Sequence, residues 1–307
     1  MASIRSKLIK PLLKPAFSRV LTTRLSVAKQ RANFDRIAGG MPVARGTRVE
    51  HRTLPNCPAE WLLPKGLTVA TGEGSVLLYL HGGGYVVGSP HAHRALVADF
   101  ARQLQCPALV PDYRLAPEQP YPAALDDAHA GWQYLRQSGY EPSQIVVIGD
   151  SAGGGLTAAL LLKLRDLNEP MPAAALLISP LLDLTLSGAS VTERQDRDKL
   201  LSIDWLRFGI ESYSAGRNLR EPGLSPLFGE PSGLPPLLIQ VGTEEILYDD
   251  AVRFAARARR VGVEVQFEEW PAMWHDWHSF ALVLPEARRA IDDASRWLLE
   301  HLAEPEN

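Results

Sequence analysis

The apolar run Gln144-Ile-Val-Val-Ile148 leads without a break into Gly149-Asp-Ser-Ala-Gly153, and a helical pattern starts at Ser151 and continues to Leu167. Strand, sharp turn and helix in immediate succession leave few folds open. In so tight a turn the positions two before and two after the serine press on neighbouring backbone, so a side chain at either would clash and glycine stands at both. The turn also lifts the Ser151 hydroxyl out at a helix N-terminus, where free N–H groups and the helix dipole favour a developing negative charge.

The rest of the chain repeats this rhythm. Short apolar runs at 75–80, 108–112, 173–179 and 236–241 read as buried strands, and 263–269 alternates like a later, more exposed one. Helical patterns lie between them, at about 91–104, 123–136, after Leu247 and at 286–302. Continuous apolar strands separated by helices imply an α/β fold with a mostly parallel sheet covered on both faces. Residues 47–54 and 61–63 suggest an antiparallel start to that sheet. Two segments break the pattern. One is the helical stretch up to about Ala38. The other is 181–226, which carries Trp205, Phe208 and Tyr213 between two strands; it is either a lid over a site or an ordinary long connection.

A serine hydroxyl needs a base, and the base needs a carboxylate to orient it. Where a turn of this kind carries a reactive serine, the chain order is serine, acid, histidine. Of the eight histidines only His275, His278 and His301 follow Ser151. His301 falls in the last helix. His275 and His278 share the loop after the last strand, and His275 is preferred because it follows that strand more closely, with His278 as the alternative. The acid belongs after strand 236–241, where Glu244, Glu245, Asp249 and Asp250 are available. Asp249 and Asp250 suit the first turn of the next helix, where acids serve the dipole, which leaves Glu245. The backbone of His81-Gly82-Gly83-Gly84-Tyr85 offers N–H donors, and Gly82 and Gly83, with Ala152, are the expected oxyanion hole. A phosphate cradle would need a different glycine pattern.

Composition narrows the remaining classes. A formal charge of -3 on 307 residues argues against a nucleic-acid partner. The two cysteines, Cys57 and Cys106, sit in no C-x-x-C pair, so no metal is expected, and reduced thiols in the cytoplasm are the simplest reading. No apolar run approaches the roughly 20 residues of a membrane span. Residues up to Asp35 carry eight basic groups and no acid, with Leu8, Ile9, Leu12, Leu13, Phe17, Val20 and Leu21 at helical spacing. Such a helix packs its stripe on the protein or rests on an anionic membrane surface; packing is the commoner outcome.

In His81-Gly-Gly-Gly-Tyr85, Asp112-Tyr-Arg-Leu-Ala-Pro-Glu118, Gly149-Asp-Ser-Ala-Gly153 and the loop around His275, in that order, the chain resembles the hormone-sensitive-lipase-like esterases of the α/β-hydrolase superfamily. The resemblance runs from about Ser75 to Leu302. It implies an eight-stranded sheet flanked by helices, with a helical cap built from residues 1–40 and completed by 181–226 of a catalytic domain spanning 41–307. It implies hydrolysis of short- to medium-chain carboxylic esters through Ser151, His275 and Glu245 without a cofactor. It also implies that Asp150 is a support and that Asp112 and Arg114 tie down the oxyanion loop. Many members carry Asp in a D-P-L-x-D motif where this chain has Glu245-Ile-Leu-Tyr-Asp249; glutamate adds one methylene of reach. Tyr85, Trp205, Phe208 and Trp274 are candidates to line the substrate pocket, or are plain core. Two further readings remain: a receptor of the same fold that has lost catalysis, against which Ser151 and His275 both speak, and an amidase. Strand 263–269, at an edge, suits pairing in a homodimer.

Overall fold

The computed structural model describes residues 3–69 and 72–302. The outermost residues of the two expected units, 1–2 and 303–307, and residues 70–71 fall outside that description. Among the described residues eight strands form one sheet: β1 (Arg48–Thr53), β2 (Pro58–Leu63), β3 (Val76–Leu80), β4 (Ala108–Pro111), β5 (Ile145–Asp150), β6 (Ala174–Ile178), β7 (Leu237–Gly242) and β8 (Val265–Trp270). Their spatial order is β1-β2-β4-β3-β5-β6-β7-β8. β2 pairs antiparallel with both β1 and β4, and the remaining pairs are parallel.

The helices are α1 (Ile4–Phe17), α2 (Val27–Ala38), α3 (Pro90–Leu104), α4 (Ala123–Gln137), α5 (Ala152–Asp166), α6 (Ser190–Glu193), α7 (Ile203–Ser214), α8 (Tyr248–Arg260) and α9 (Pro285–His301). Alternate residues of each central strand feed opposite faces, as the two-residue period of a strand requires. Leu78, Val147, Leu177 and Ile239 pack with α4, α5 and α8 in one core. Leu77, Val146, Leu176 and Leu238 pack with α3 and α9 in the other. Both faces are therefore covered, which is why these strands read as unbroken apolar runs.

The N-terminal stretch is two helices, α1 and α2, and its apolar residues divide. Leu13, Val20 and Leu21 are buried, while Ile4, Leu8 and Leu12 are at least 68% exposed. The segment is held to distant parts of the chain: Ser3 donates to Glu286, Lys10 pairs with Glu244, and the Trp205 indole donates to Gln30 at 2.8 Å. The 181–226 region supplies α6 and α7. No described helix is long and apolar enough to cross a membrane.

Candidate active site

Ser151 stands at the carboxyl end of β5, on the edge of the sheet where open α/β folds place their ligands. Its backbone has φ 53°, ψ -118°, a strained conformation that its surroundings enforce. The Ser151 N–H donates to Ile178 O at 2.8 Å, and its carbonyl accepts from Leu181 N–H at 2.9 Å. A Cβ on Gly149 would lie 2.2 Å from Gly153 O, and one on Gly153 would lie 2.0 Å from Leu80 O, so the turn closes only with glycine at both.

The loop after β8 brings His275 to the serine: Nε2 is 2.8 Å from Ser151 Oγ. Nδ1 is 2.9 Å from Glu245 Oε2, from the loop after β7. The other Glu245 oxygen accepts from Gly242 N–H and Ser179 Oγ, which fixes the carboxylate. Glu245 is fully buried, and that burial raises its pKa against the pull of His275. Burial would lower the His275 pKa, but the Asp276 and Glu245 carboxylates outweigh it and hold it well above the usual imidazole value. Asp249 and Asp250 open α8. Asp249 accepts from Ser190 N–H, and Asp250 accepts from the N–H groups of Leu182 and Asp183. His278 turns the other way, its Nε2 2.7 Å from Gln240 Oε1.

The glycine loop corrects one expectation. The Gly82 N–H is not free: it donates to Asp150 Oδ1 at 3.0 Å, and a Cβ there would collide with the same carboxylate. Gly83 and Gly84, with φ of 123° and 60°, line the cavity beside Ser151. Their N–H groups have no partner among the described residues, and Ala152 N–H heads α5. Asp150 is itself a hub, accepting also from Tyr79 OH at 2.7 Å and lying 3.5 Å from His93 Nε2. Burial would raise its pKa, but His93 and these hydrogen bonds bring it below the usual carboxylate value.

A second correction concerns how the glycine loop is tied down. Arg114 forks onto Asp127 of α4, with Nη2 2.8 Å from Oδ1, and Asp112 donates its N–H to Pro58. The residue between them reaches the loop: Tyr113 OH donates to His81 O at 2.7 Å, and the two rings stack. Arg31 of α2 adds a clamp, donating to Val86 O and Ala116 O, each at 2.8 Å, and to Glu118.

A family model for the alpha/beta hydrolase fold matches residues 77–279. An acetyl-hydrolase from Streptomyces hygroscopicus is 43% identical over 301 residues, covering 97% of each chain. The crystal structure of an esterase from the bacterial hormone-sensitive lipase family is 37% identical, with a TM-score of 0.92 over 99% of this chain and all of that one. The chain belongs to the hormone-sensitive-lipase-like α/β-hydrolases. An esterase from Acinetobacter venetianus is also similar to this hydrolase, at 38% identity over 255 residues, 80% of this chain and 84% of that one.

In this hydrolase Ser151 and His275 open onto a cavity of about 340 Å³. Its walls are apolar: Leu13 and Phe17 of α1, Phe34 of α2 and Trp205 of α7. Among the four pocket candidates, Trp205 alone lines the cavity. The Tyr85 ring is stacked 3.7 Å from Tyr213 in the core, and Phe208 packs on the same core. Trp274 joins Trp270 and Trp277 in a separate buried cluster, one layer behind the cavity, with its ring against Phe280. Neighbours of His275 in sequence point to opposite sides of its loop, so adjacency to the histidine does not place a side chain at the site. Asp276, unremarked in the sequence, is on the cavity side. Among the described residues no group of side chains has the spacing of a metal site.

Proposed function

We propose that the chain is a serine carboxylesterase that cleaves short- to medium-chain acyl esters through Ser151, His275 and Glu245. The observation that carries this reading is the unbroken relay from Ser151 Oγ to His275 at 2.8 Å and from His275 to Glu245 at 2.9 Å. As Oγ attacks the ester carbonyl carbon, its proton passes to His275 Nε2 and the carbonyl electron pair moves onto oxygen. The N–H groups of Gly83, Gly84 and Ala152 receive that oxyanion. The carbon–oxygen bond to the alcohol then breaks, and His275 returns the proton to the departing oxygen. Water repeats the sequence on the acyl-enzyme and frees the acid. Glu245 keeps the Nδ1–H tautomer and stabilises the imidazolium.

An apolar cavity of about 340 Å³ suits a small acyl or alcohol group. In this reading α1, α2 and the 181–226 segment act as a cap over the catalytic domain. The test is release of p-nitrophenol from acetate, butyrate and longer esters. Turnover should favour the shorter chains, and Ser151→Ala should lower it by about 10⁴-fold or more. No turnover by the wild type on any ester, or an unchanged rate in Ser151→Ala, would overturn the proposal.

Location and partners complete the reading. Cys57 and Cys106 are buried free thiols, in keeping with a reducing cytoplasm. Exposed Ile4, Leu8 and Leu12 stand on a helix with Arg5, Lys7, Lys10 and Lys14 and no acid, a composition suited to an anionic lipid surface. β8 ends the sheet and can pair with a second copy. Sedimentation with phosphatidylglycerol vesicles, compared between wild type and Leu8→Glu, tests the first contact; light scattering tests the second.

A further inference from the structure

The residue after His275 sits where a bystander would not. Asp276 adopts a left-handed backbone, φ 51° and ψ 38°, and its N–H faces Ser179 Oγ at 3.3 Å. That turn sends its carboxylate into the cavity, with Oδ2 3.1 Å from His275 Nε2, the nitrogen that also meets Ser151 Oγ. Asp276 Oδ1 is buried and has no hydrogen-bond partner among the described residues. A left-handed turn explains why Asp, Asn or Gly should stand here. It does not explain a charge placed against the catalytic nitrogen with one oxygen left unsatisfied, an arrangement that costs stability.

We propose that Asp276 is a positioning residue for ester cleavage, a second carboxylate that holds the His275 imidazolium from the Nε2 side while Glu245 holds it from the Nδ1 side. The inference rests on the esterase reading. When the Ser151 proton reaches Nε2, the ring gains a full positive charge in a buried site, and two carboxylates then flank it. The proton goes on to the leaving oxygen; Asp276 neither takes it nor forms a bond.

The arrangement has a cost in the resting enzyme, where His275 must be neutral to act as a base. An ionised Asp276 favours the charged ring, so the base is released only at higher pH. Glu245 faces Nδ1, with Asp198 beyond it. Asp150 and His93 lie on the β5 side with Tyr79, and His278 follows in the same loop. Burial, helped by Asp150 and Glu245, pushes the Asp276 carboxyl up to about 6 against the pull of His275. Its hold on the ring therefore fades in mildly acid solution.

Asp276→Asn tests the idea, because asparagine keeps the left-handed turn and the volume and removes only the charge. Nitrogen-15 histidine NMR of the whole protein reads the His275 titration directly and needs no turnover. The variant should titrate at lower pH than wild type. With p-nitrophenyl acetate, the acid limb of kcat/KM should move down with it, while the alkaline plateau falls about tenfold, the size of one lost charge-assisted contact. Against a plateau about tenfold lower, the two profiles cross once the titration moves by more than about one pH unit. A variant whose His275 titration and acid limb match wild type would overturn the proposal, as would an even loss of activity at every pH. If the wild type cleaves no ester, the esterase reading fails on its own, and the NMR titration still decides whether Asp276 holds the ring.

Discussion

Gly82 gives its backbone N–H to Asp150 Oδ1 at 3.0 Å, joining the glycine loop after β3 to the residue before Ser151. One carboxylate thus sets the distance between the two halves of the proposed oxyanion hole. Gly83 and Gly84 can face the cavity because Gly82 is anchored behind them.

That anchor predicts the behaviour of Asp150→Asn. Asparagine can keep a carbonyl oxygen toward Gly82 N–H and Tyr79 OH, but it puts an N–H₂ where Oδ2 faces His93 Nε2 and removes the buried charge that holds the loop. Ester turnover should fall by about 10²-fold, as when one oxyanion donor is lost. Stability should drop by about 3 kcal/mol, because a buried charged network is broken from one side. Steady-state kinetics and denaturant unfolding check both. Tyr79→Phe removes one hydrogen bond from the same carboxylate and should cost about 1 kcal/mol.

Glu245 and Asp249 offer a direct contrast, four residues apart. Glu245→Gln leaves the shape and removes the charge facing Nδ1, so kcat should fall by about 10³- to 10⁴-fold. Asp249→Ala removes only the acceptor for Ser190 N–H and should cost about 1 kcal/mol of stability with kcat within a few-fold of wild type. Equal losses of activity in the two would mean that the acid is misassigned.

Arg31→Ala should reach the site from a distance. Its guanidinium donates to Val86 O just past the glycine loop, and to Ala116 O and Glu118 in the 112–118 stretch. Loss of these bonds should lower stability by about 1 to 3 kcal/mol and reduce kcat as the loop loosens. Arg31→Lys should rescue little, because an ammonium cannot reproduce the fork. Thermal melts and turnover of the two variants decide it.

Two buried histidines predict acid lability. Burial drives the pKa of His278 and of His81 down to about 3, so both are neutral in the folded protein. The unfolded chain protonates each near about 6.5, so below that pH it binds protons that the folded state refuses. Stability must fall as pH drops, by about 1.4 kcal/mol per pH unit for each histidine. His278→Gln can keep a donor to Gln240 and cannot titrate. Its unfolding free energy between about pH 4 and 5.5 should vary with a slope about one proton shallower than wild type.

The sheet was readable because both its faces are covered. Val147 and Val146 feed opposite cores, and such a strand shows as a continuous apolar run whose ends fall within a residue or two of the observed ones. That Ser151, His275 and Glu245 come together was readable because turn chemistry and chain order restrict where a proposed nucleophile, base and acid can lie. Which glycine N–H stays free was not, since three consecutive glycines look alike until the Asp150 side chain, 68 residues away, claims one. Trp274 and Asp276 flank His275, and only the backbone angles of that loop decide which faces the cavity. The exposed row Ile4, Leu8 and Leu12 shares a helical stripe with buried Leu13, and its facing depends on where α1 docks.

The docking of α1 and α2 has a further consequence. These helices are fastened at Glu286, Glu244 and Trp205, and they wall a cavity whose other side holds Ser151 and His275. The residues that line this cavity thus come from segments far apart in the sequence, from Leu13 to Ser151 to Phe280, and meet only when the sheet between them is complete. Chemistry and enclosure are separable by a protease: a cut between α2 and β1 would leave the relay covalently whole and free one wall of its chamber to leave.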